Sequence, residues 1–502
     1  MTEPQVFIDL VSQYADDVLE RCSDDQTPLI CDGLEVQTGN PLHWEGHALS
    51  NLACQQNFLR VLDALAELTD HNRYRDRADE WIGFALETLR DPASGMLYWG
   101  GHSSYDLNTH APIVGNHELK CVYPYYRYLF RIDPLTTRHF VEAFWHQHIW
   151  DWSTLLFNRH GEYETWERAV IWSADFAGSE VPLIENSALS FVNTGSDLIL
   201  AAAQHYLHTS DERALTWAHH LLGRYESIRH PETGLAGYQF NHREPCRVRL
   251  SFKEPFDSRA EVNETTVVTN NVIRTRYGRA AICWLNIYEE LGPRDGQAFL
   301  DLVTRDLHAL ADHALDRNGF TAVLNDGTRL SPDHAREGVG YCQPAKLVPV
   351  AAEGLLLLAY ARAYRLSGVE RFLAVARQLA ESMGWNLAAS QAGRLSPPAQ
   401  ESWSLSGQND ASALFGLLDL HLATGDDTYR SAALCCAGHL LKSYETETFF
   451  STSATRAEID SALPLALLHL AAGENASALP AFYPNLTYFD PKVVIHRREN
   501  TA

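Results

Sequence analysis

Two stretches of this sequence are crowded with side chains that bind metals, move protons or hold anions. The first runs Tyr98-Trp99-Gly100-Gly101-His102, then Tyr105-Asp106 and His110, then Asn116-His117-Glu118-Leu119-Lys120 and Tyr123-Pro124-Tyr125-Tyr126. The second holds His146, His148, Asp151 and Trp152, followed by Phe157-Asn158-Arg159-His160-Gly161. A divalent metal needs neutral imidazoles and carboxylates that converge from separate elements. His102, Glu118 and His160 meet that need as a loop, a predicted helix start and a later loop. No local pairing such as HExxH supports them, so for any one of the 23 histidines a capping or surface role is the plainer reading. His146 and His148 stand two apart on a predicted helix, point to different faces and read as structural.

A third cluster holds Asn270-Asn271, Arg274, Arg276-Tyr277-Gly278-Arg279. Three arginines in six residues suit carboxylate binding, and surface ion pairing is the competing reading. Lys346 and the pair Asn409-Asp410 sit at predicted helix starts, where capping competes with ligand binding. Trp99, Trp152, Trp166, Trp172 and Trp403 fall in or near loops, where a ring can stack on a sugar or pack between helices.

The elements that must position these groups are helices. Apolar residues recur at i, i+3, i+4 and i+7 in fourteen segments, near 4–22, 49–69, 76–90, 116–131, 135–149, 187–208, 211–229, 272–291, 294–315, 346–367, 369–384, 409–424, 427–443 and 457–472. Several end in a polar breaker, a Gly and an aromatic or apolar residue, as in Asp91…Gly95…Tyr98 and His230…Gly234…Tyr238. Strand-like pieces are confined to runs such as Val267-Val268 and Phe320–Val323. The expected fold is all-α: an (α/α) toroid of seven helical hairpins, or six if boundaries shift, with short strand-like loops. No linker divides it, so residues 1–475 read as one catalytic domain and 476–502 as a packed C-terminal tail.

With 40 Lys+Arg against 64 Asp+Glu, the 502-residue chain carries a formal charge of −24. That charge disfavours nucleic acid and anionic membrane as partners. Nine cysteines are scattered without a CxxC pair, and the first residues show no basic segment followed by an apolar run. Both features lead to the expectation of a cytoplasmic protein.

Trp-Gly-Gly-His at 99–102, His-Glu-Leu-Lys at 117–120 with Tyr-Pro-Tyr-Tyr at 123–126, and Asp-Trp…Phe-Asn-Arg-His over 151–160 together resemble polysaccharide lyase family 2, the α/α-barrel pectate lyases. The resemblance implies a divalent transition metal, Mn²⁺ first, held by two histidines and a glutamate. It assigns Glu118 and His160 as ligands and the neighbouring Arg159 as the proton-abstracting base. The other histidine is His102, with His110 as runner-up. The implied reaction is β-elimination on a 4-linked polyuronate, pectate or oligogalacturonate first, with glucuronan and alginate as alternatives. A cation on the uronate carboxylate acidifies the C5 proton. An arginine base needs nearby positive charge, because its free pKa exceeds about 12. If Arg159 only grips a carboxylate, Tyr277 or His110 becomes the base. Arg274, Arg276, Arg279, Lys346 and Trp152 are the expected substrate contacts. The competing reading is a metal-independent glycoside hydrolase acting on uronic-acid oligosaccharides, with Asp106 or Asp151 as its acid. A non-catalytic carbohydrate-binding scaffold is a third.

Overall fold

The structure is a computed structural model that describes residues 3–44, 46–69, 71–167, 171–178, 189–241, 247–385, 387, 410–443 and 456–486. Trp403, Asn409 and the end of the expected tail from 487 lie outside the described residues.

Among the described residues, seven pairs of helices close into a ring. The inner members are Gln56–Thr69, Tyr126–Ile132, Val192–Thr209, the π-helical Ile273–Ala280 running into Ala281–His313, Gly354–Ser367, Ser412–Thr424 and Ala462–Ala472. Their outer partners are Asn72–Thr88, Pro134–His148, Glu212–Ser227, the second half of Ala281–His313, Glu370–Ser382 and Asp427–Ser443. The helix Glu3–Arg21 packs on Ala462–Ala472 as the seventh.

Sequence separates the two layers. Every residue from Val192 to His205 and from Gly354 to Ala363 is buried, so these two inner helices are enclosed on all sides along those stretches. The outer helix Glu212–Ser227 buries Ala214, Trp217, Ala218, Leu221, Leu222 and Tyr225, a single face at helical spacing. Ala281–His313 is two helices joined across a break: Gly292 takes φ 73° and ψ 177°, and Pro293 starts the outer arm. The periodicity in the sequence separates 272–291 from 294–315 at the same point.

Two departures bear on the site. The 116–131 segment is helical only over Tyr126–Ile132. Residues 116–125 run extended, with Cys121 and Tyr123 at φ 54° and 49°. Their N–H groups go to neighbouring chain instead of a helix: Cys121 to Asn193 O, and Val122 and Tyr123 to the Asp197 carboxylate. Glu118 therefore sits on an extended strand, not on a helix. The connectors 247–268 and 320–347 together build a small apolar cluster of their own, from Val248, Phe252 and Phe256 to Cys342 and Leu347. Within it Val267–Val268 pairs with Val323–Leu324. Past the last helix, Phe482 stacks on Phe415 at 4.3 Å and its carbonyl accepts from Asn286 Nδ2.

Candidate metal centre

Three extended segments meet in front of the helix Val192–Thr209. The first carries Gly100 and His102, the second His117 and Glu118, the third Asn158, Arg159 and His160. Gly101 N–H donates to Glu118 O at 2.9 Å, and His117 and Gly161 exchange backbone hydrogen bonds of 2.9 and 2.8 Å. Asn51 pins the first segment by bonding both the N–H and the C=O of Gly100. Gly100 has φ +99°, and a Cβ there would lie 2.2 Å from Glu118 O. No other residue allows this approach.

The strands bring His102, Glu118 and His160 together, with one ligand atom from each lying within 4.8 Å of the others. His102 Nε2 is 3.3 Å from Glu118 Oε2, and His160 Nε2 is 3.5 Å from Glu118 Oε1. Metal–ligand bonds of roughly 2.1 Å put two donors of one ion roughly 3–4 Å apart, so the set fits a transition metal with little movement. Burial pushes His160 down to about 4, with Arg159, His102 and Lys120 adding to the effect, so its ring is neutral at pH 7 as a ligand must be. Burial opposes charge on Glu118. Hydrogen bonding from His102 and the charges of Lys120, Arg159 and His160 outweigh it and hold its carboxyl far below the ordinary range. This is a possible metal site of two imidazoles and a carboxylate. His110 is not part of it; its ring lies 3.8 Å from Asp24 in the turn before Ala111–Ile113.

Arg159 Nε contacts the same two groups, 3.1 Å from Glu118 Oε1 and 3.3 Å from His160 Nε2. Its guanidinium is 5.5 Å from the Phe191 ring, and its side chain keeps 31% exposure, so an incoming group can reach it. Lys120, which the sequence reading quoted without a role, places Nζ 3.0 Å from Glu118 Oε2. Positions 118 and 120 share a face once the segment is extended, a period that a helical reading hides.

Other expected residues lie elsewhere. Tyr277 is fully buried. Its hydroxyl donates to Ala236 O and accepts from Ala236 N–H, and burial pushes it up to about 12, so it does not serve as base. Arg276 is also corrected: it is 0% exposed, with Nε and Nη2 on Asp306 and further bonds to Gly237 O and Tyr225 O. It holds hairpins together and does not face a ligand. Trp152 packs among Trp145, Trp172 and Trp217 at ring distances of 6.0, 6.2 and 4.8 Å, which occupies its faces. Arg274 pairs with Glu353 at 2.9 Å. Arg279 shares a cavity with Arg274, Asn57 and Glu353, and its Nε has no hydrogen-bond partner among the described residues. The acids of that cavity are used internally: Asp410 takes the N–H groups of Leu355 and Ser412, and Asp460 those of Asn57 and Phe58. Lys346 Nζ stands 3.8 Å over the Tyr341 ring. Asp106 and Asp151, the acids a hydrolase would use, are bonded into local turns with His47 and Thr109, and with Ser153 and Thr154.

The fold is an (α/α) toroid in which three extended segments gather His102, Glu118, His160 and the adjacent Arg159, and sequence comparison says which family it belongs to. A family profile described as periplasmic pectate lyase matches residues 27–492, and the chain belongs to that family. A pectate disaccharide-lyase of Dickeya dadantii (strain 3937) is 38% identical over 253 residues, which is 47% of this chain and 45% of that protein. The chain thus spans about half the length of the curated relative it matches. Among solved structures, a cellobiose 2-epimerase of Bacillus thermoamylovorans B4167 is 10% identical, covering 94% of this chain and 100% of the other with a TM-score of 0.47. An α-1,6-mannanase of Salegentibacter sp. HEL1_6 is 11% identical, covering 94% and 99% with a TM-score of 0.43. The expectation of a cytoplasmic location is corrected: the family description points to the periplasm. Among the described residues no helix is long and apolar enough to cross a membrane.

Proposed function

We propose that this protein is a lyase that cleaves 4-linked polyuronate, pectate or oligogalacturonate first, by β-elimination. Membership of the pectate lyase family and the activity for which the Dickeya relative is named support the substrate class. The observation that carries the reading is the contact of Arg159 with both Glu118 and His160 at the edge of the His102–Glu118–His160 cluster.

In this reading His102, Glu118 and His160 hold a divalent transition metal, Mn²⁺ first. When bound, the ion supplies Lewis-acid stabilisation of the uronate carboxylate. Arg159 takes the C5 proton. The electron pair left on C5 forms the C4–C5 double bond as the C4–O bond breaks, and the departing oxygen leaves with that bond's electrons and gains a proton. Lys120, 3.0 Å from the other oxygen of Glu118, adds a second cation to the cluster that the uronate carboxylate approaches. Arg279, Arg274 and Lys346 supply carboxylate contacts further along the chain.

The test is an assay of purified protein on pectate, glucuronan and alginate, with chelator and after Mn²⁺ is added back, reading the ultraviolet absorbance of the unsaturated product. Activity on pectate that EDTA abolishes and Mn²⁺ restores is expected. Full turnover in protein verified as metal-free removes the metal role. Arg159→Ala is expected to lower kcat by about 10²–10⁴-fold with the circular dichroism spectrum unchanged, the range of a lost general base.

A further inference from the structure

Behind the ligand cluster, out of reach of solvent, lies a chain of hydrogen bonds that the reaction itself does not use. Trp99 Nε1–H donates to His117 Nε2 at 3.0 Å. His117 Nδ1 meets His148 Nε2 at 3.0 Å, and His148 Nδ1 meets the Asn158 carbonyl at 2.9 Å. Trp99, His117 and His148 are each 0% exposed. An indole N–H can only donate and a carbonyl can only accept, so the proton positions are fixed from both ends. His117 must carry its proton on Nδ1 and give it to His148, and His148 must carry its own on Nδ1 and give it to Asn158 O. Any other tautomer sets two N–H groups, or two lone pairs, face to face in a dry interior.

The members of this chain stand next to the ligands. Trp99 is three residues before His102, His117 adjoins Glu118, and Asn158 precedes Arg159 and His160. His148 ends the helix Pro134–His148, and its backbone carbonyl accepts from Asn158 N–H at 3.1 Å. Phe140 and Phe144 pack around the His117 ring. Gly161 lies so close to His148 that a Cβ would come within 2.6 Å of Nε2.

We propose that His117 and His148 are positioning residues: a neutral imidazole pair, locked in one tautomeric arrangement, that ties the three ligand-bearing segments to the end of a rigid helix and so sets the spacing of His102, Glu118 and His160. This rests on the metal reading above.

Metal affinity tests it. Wild type, His148→Ala and His148→Gln are stripped with chelator and titrated calorimetrically with Mn²⁺ alone. A glutamine amide can donate to Asn158 O and accept from His117, so it reproduces the relay. His148→Ala is expected to bind Mn²⁺ about 10–100-fold more weakly, and His148→Gln to recover most of that loss. Ring-nitrogen NMR of ¹⁵N-histidine-labelled metal-free wild type, assigned through the signals lost in His148→Gln, is expected to show both rings as Nδ1–H tautomers. Wild-type binding that His148→Ala leaves unchanged overturns the positioning role alone, and so does an Nε2–H tautomer on either ring. A wild type that binds no Mn²⁺ overturns the metal reading and the positioning role together.

Discussion

Two carboxylate oxygens of Glu118 carry four basic neighbours. Lys120 and His102 approach Oε2 at 3.0 and 3.3 Å, and Arg159 and His160 approach Oε1 at 3.1 and 3.5 Å. Glu118→Gln keeps the shape but not the charge, and it is expected to weaken Mn²⁺ binding at least about tenfold in a calorimetric titration. Arg159→Lys tests geometry instead. A lysine has no planar Nε to reach two groups at once, so kcat should fall while KM changes little in steady-state kinetics. The site words were legible because the residue types are unusual together: Gly-Gly-His, His-Glu and Arg-His within residues 99–160. What a side chain is buried against was not legible. Arg276 and Tyr277 have types suited to catalysis, yet they spend their polar atoms on Asp306 and on the Ala236 backbone. His148 reads as structural from its spacing, but its ring partners lie 10 and 31 residues away, and no periodicity records them.

At the scale of elements, the helices were legible and the connectors were not. Inner helices such as Gly354–Ser367 and Ala462–Ala472 show as apolar runs of helical length, and the outer ones as an apolar stripe at helical spacing. The segment 116–125 has enough apolar residues to imitate a helix, but its backbone bonds are supplied by Gly100, Gly161 and the start of Val192–Thr209. Such pairing between distant strands has no local signature. The close approach of Gly161 to His148 yields a prediction here. Gly161→Ala must push the ring or the strand aside, and it is expected to cost about 1–3 kcal/mol, read as a lower melting temperature and a lower urea midpoint.

For the molecule as a whole, buried neutral histidines set the acid limit. Burial pushes His148, His160 and His469 each down to about 4 from 6.5. Below about pH 6.5 the unfolded chain takes up protons that the folded chain refuses until about pH 4, so stability is full above that window and falls as pH drops through it. Asp197 and Asp460, pushed up to about 7 by burial, take up protons in the fold over part of the same range and oppose the effect. The urea midpoint of a His469→Gln variant should therefore fall less between pH 7 and pH 5 than that of wild type; an equal fall would mean that the His469 ring protonates in the fold. The closure of the ring has a further effect, on how the fold is reached. The strand Gly33–Glu35 pairs with Arg456–Glu458, Tyr14 donates to Ile459 O, and Asp460 accepts from Asn57. These contacts join residues more than 400 positions apart, so an early helix such as Gln56–Thr69 has no cover on one side until almost the whole chain has been synthesised. Loop-closure entropy of that size slows folding and leaves an apolar surface open on the nascent chain, so refolding should be slow and sensitive to protein concentration.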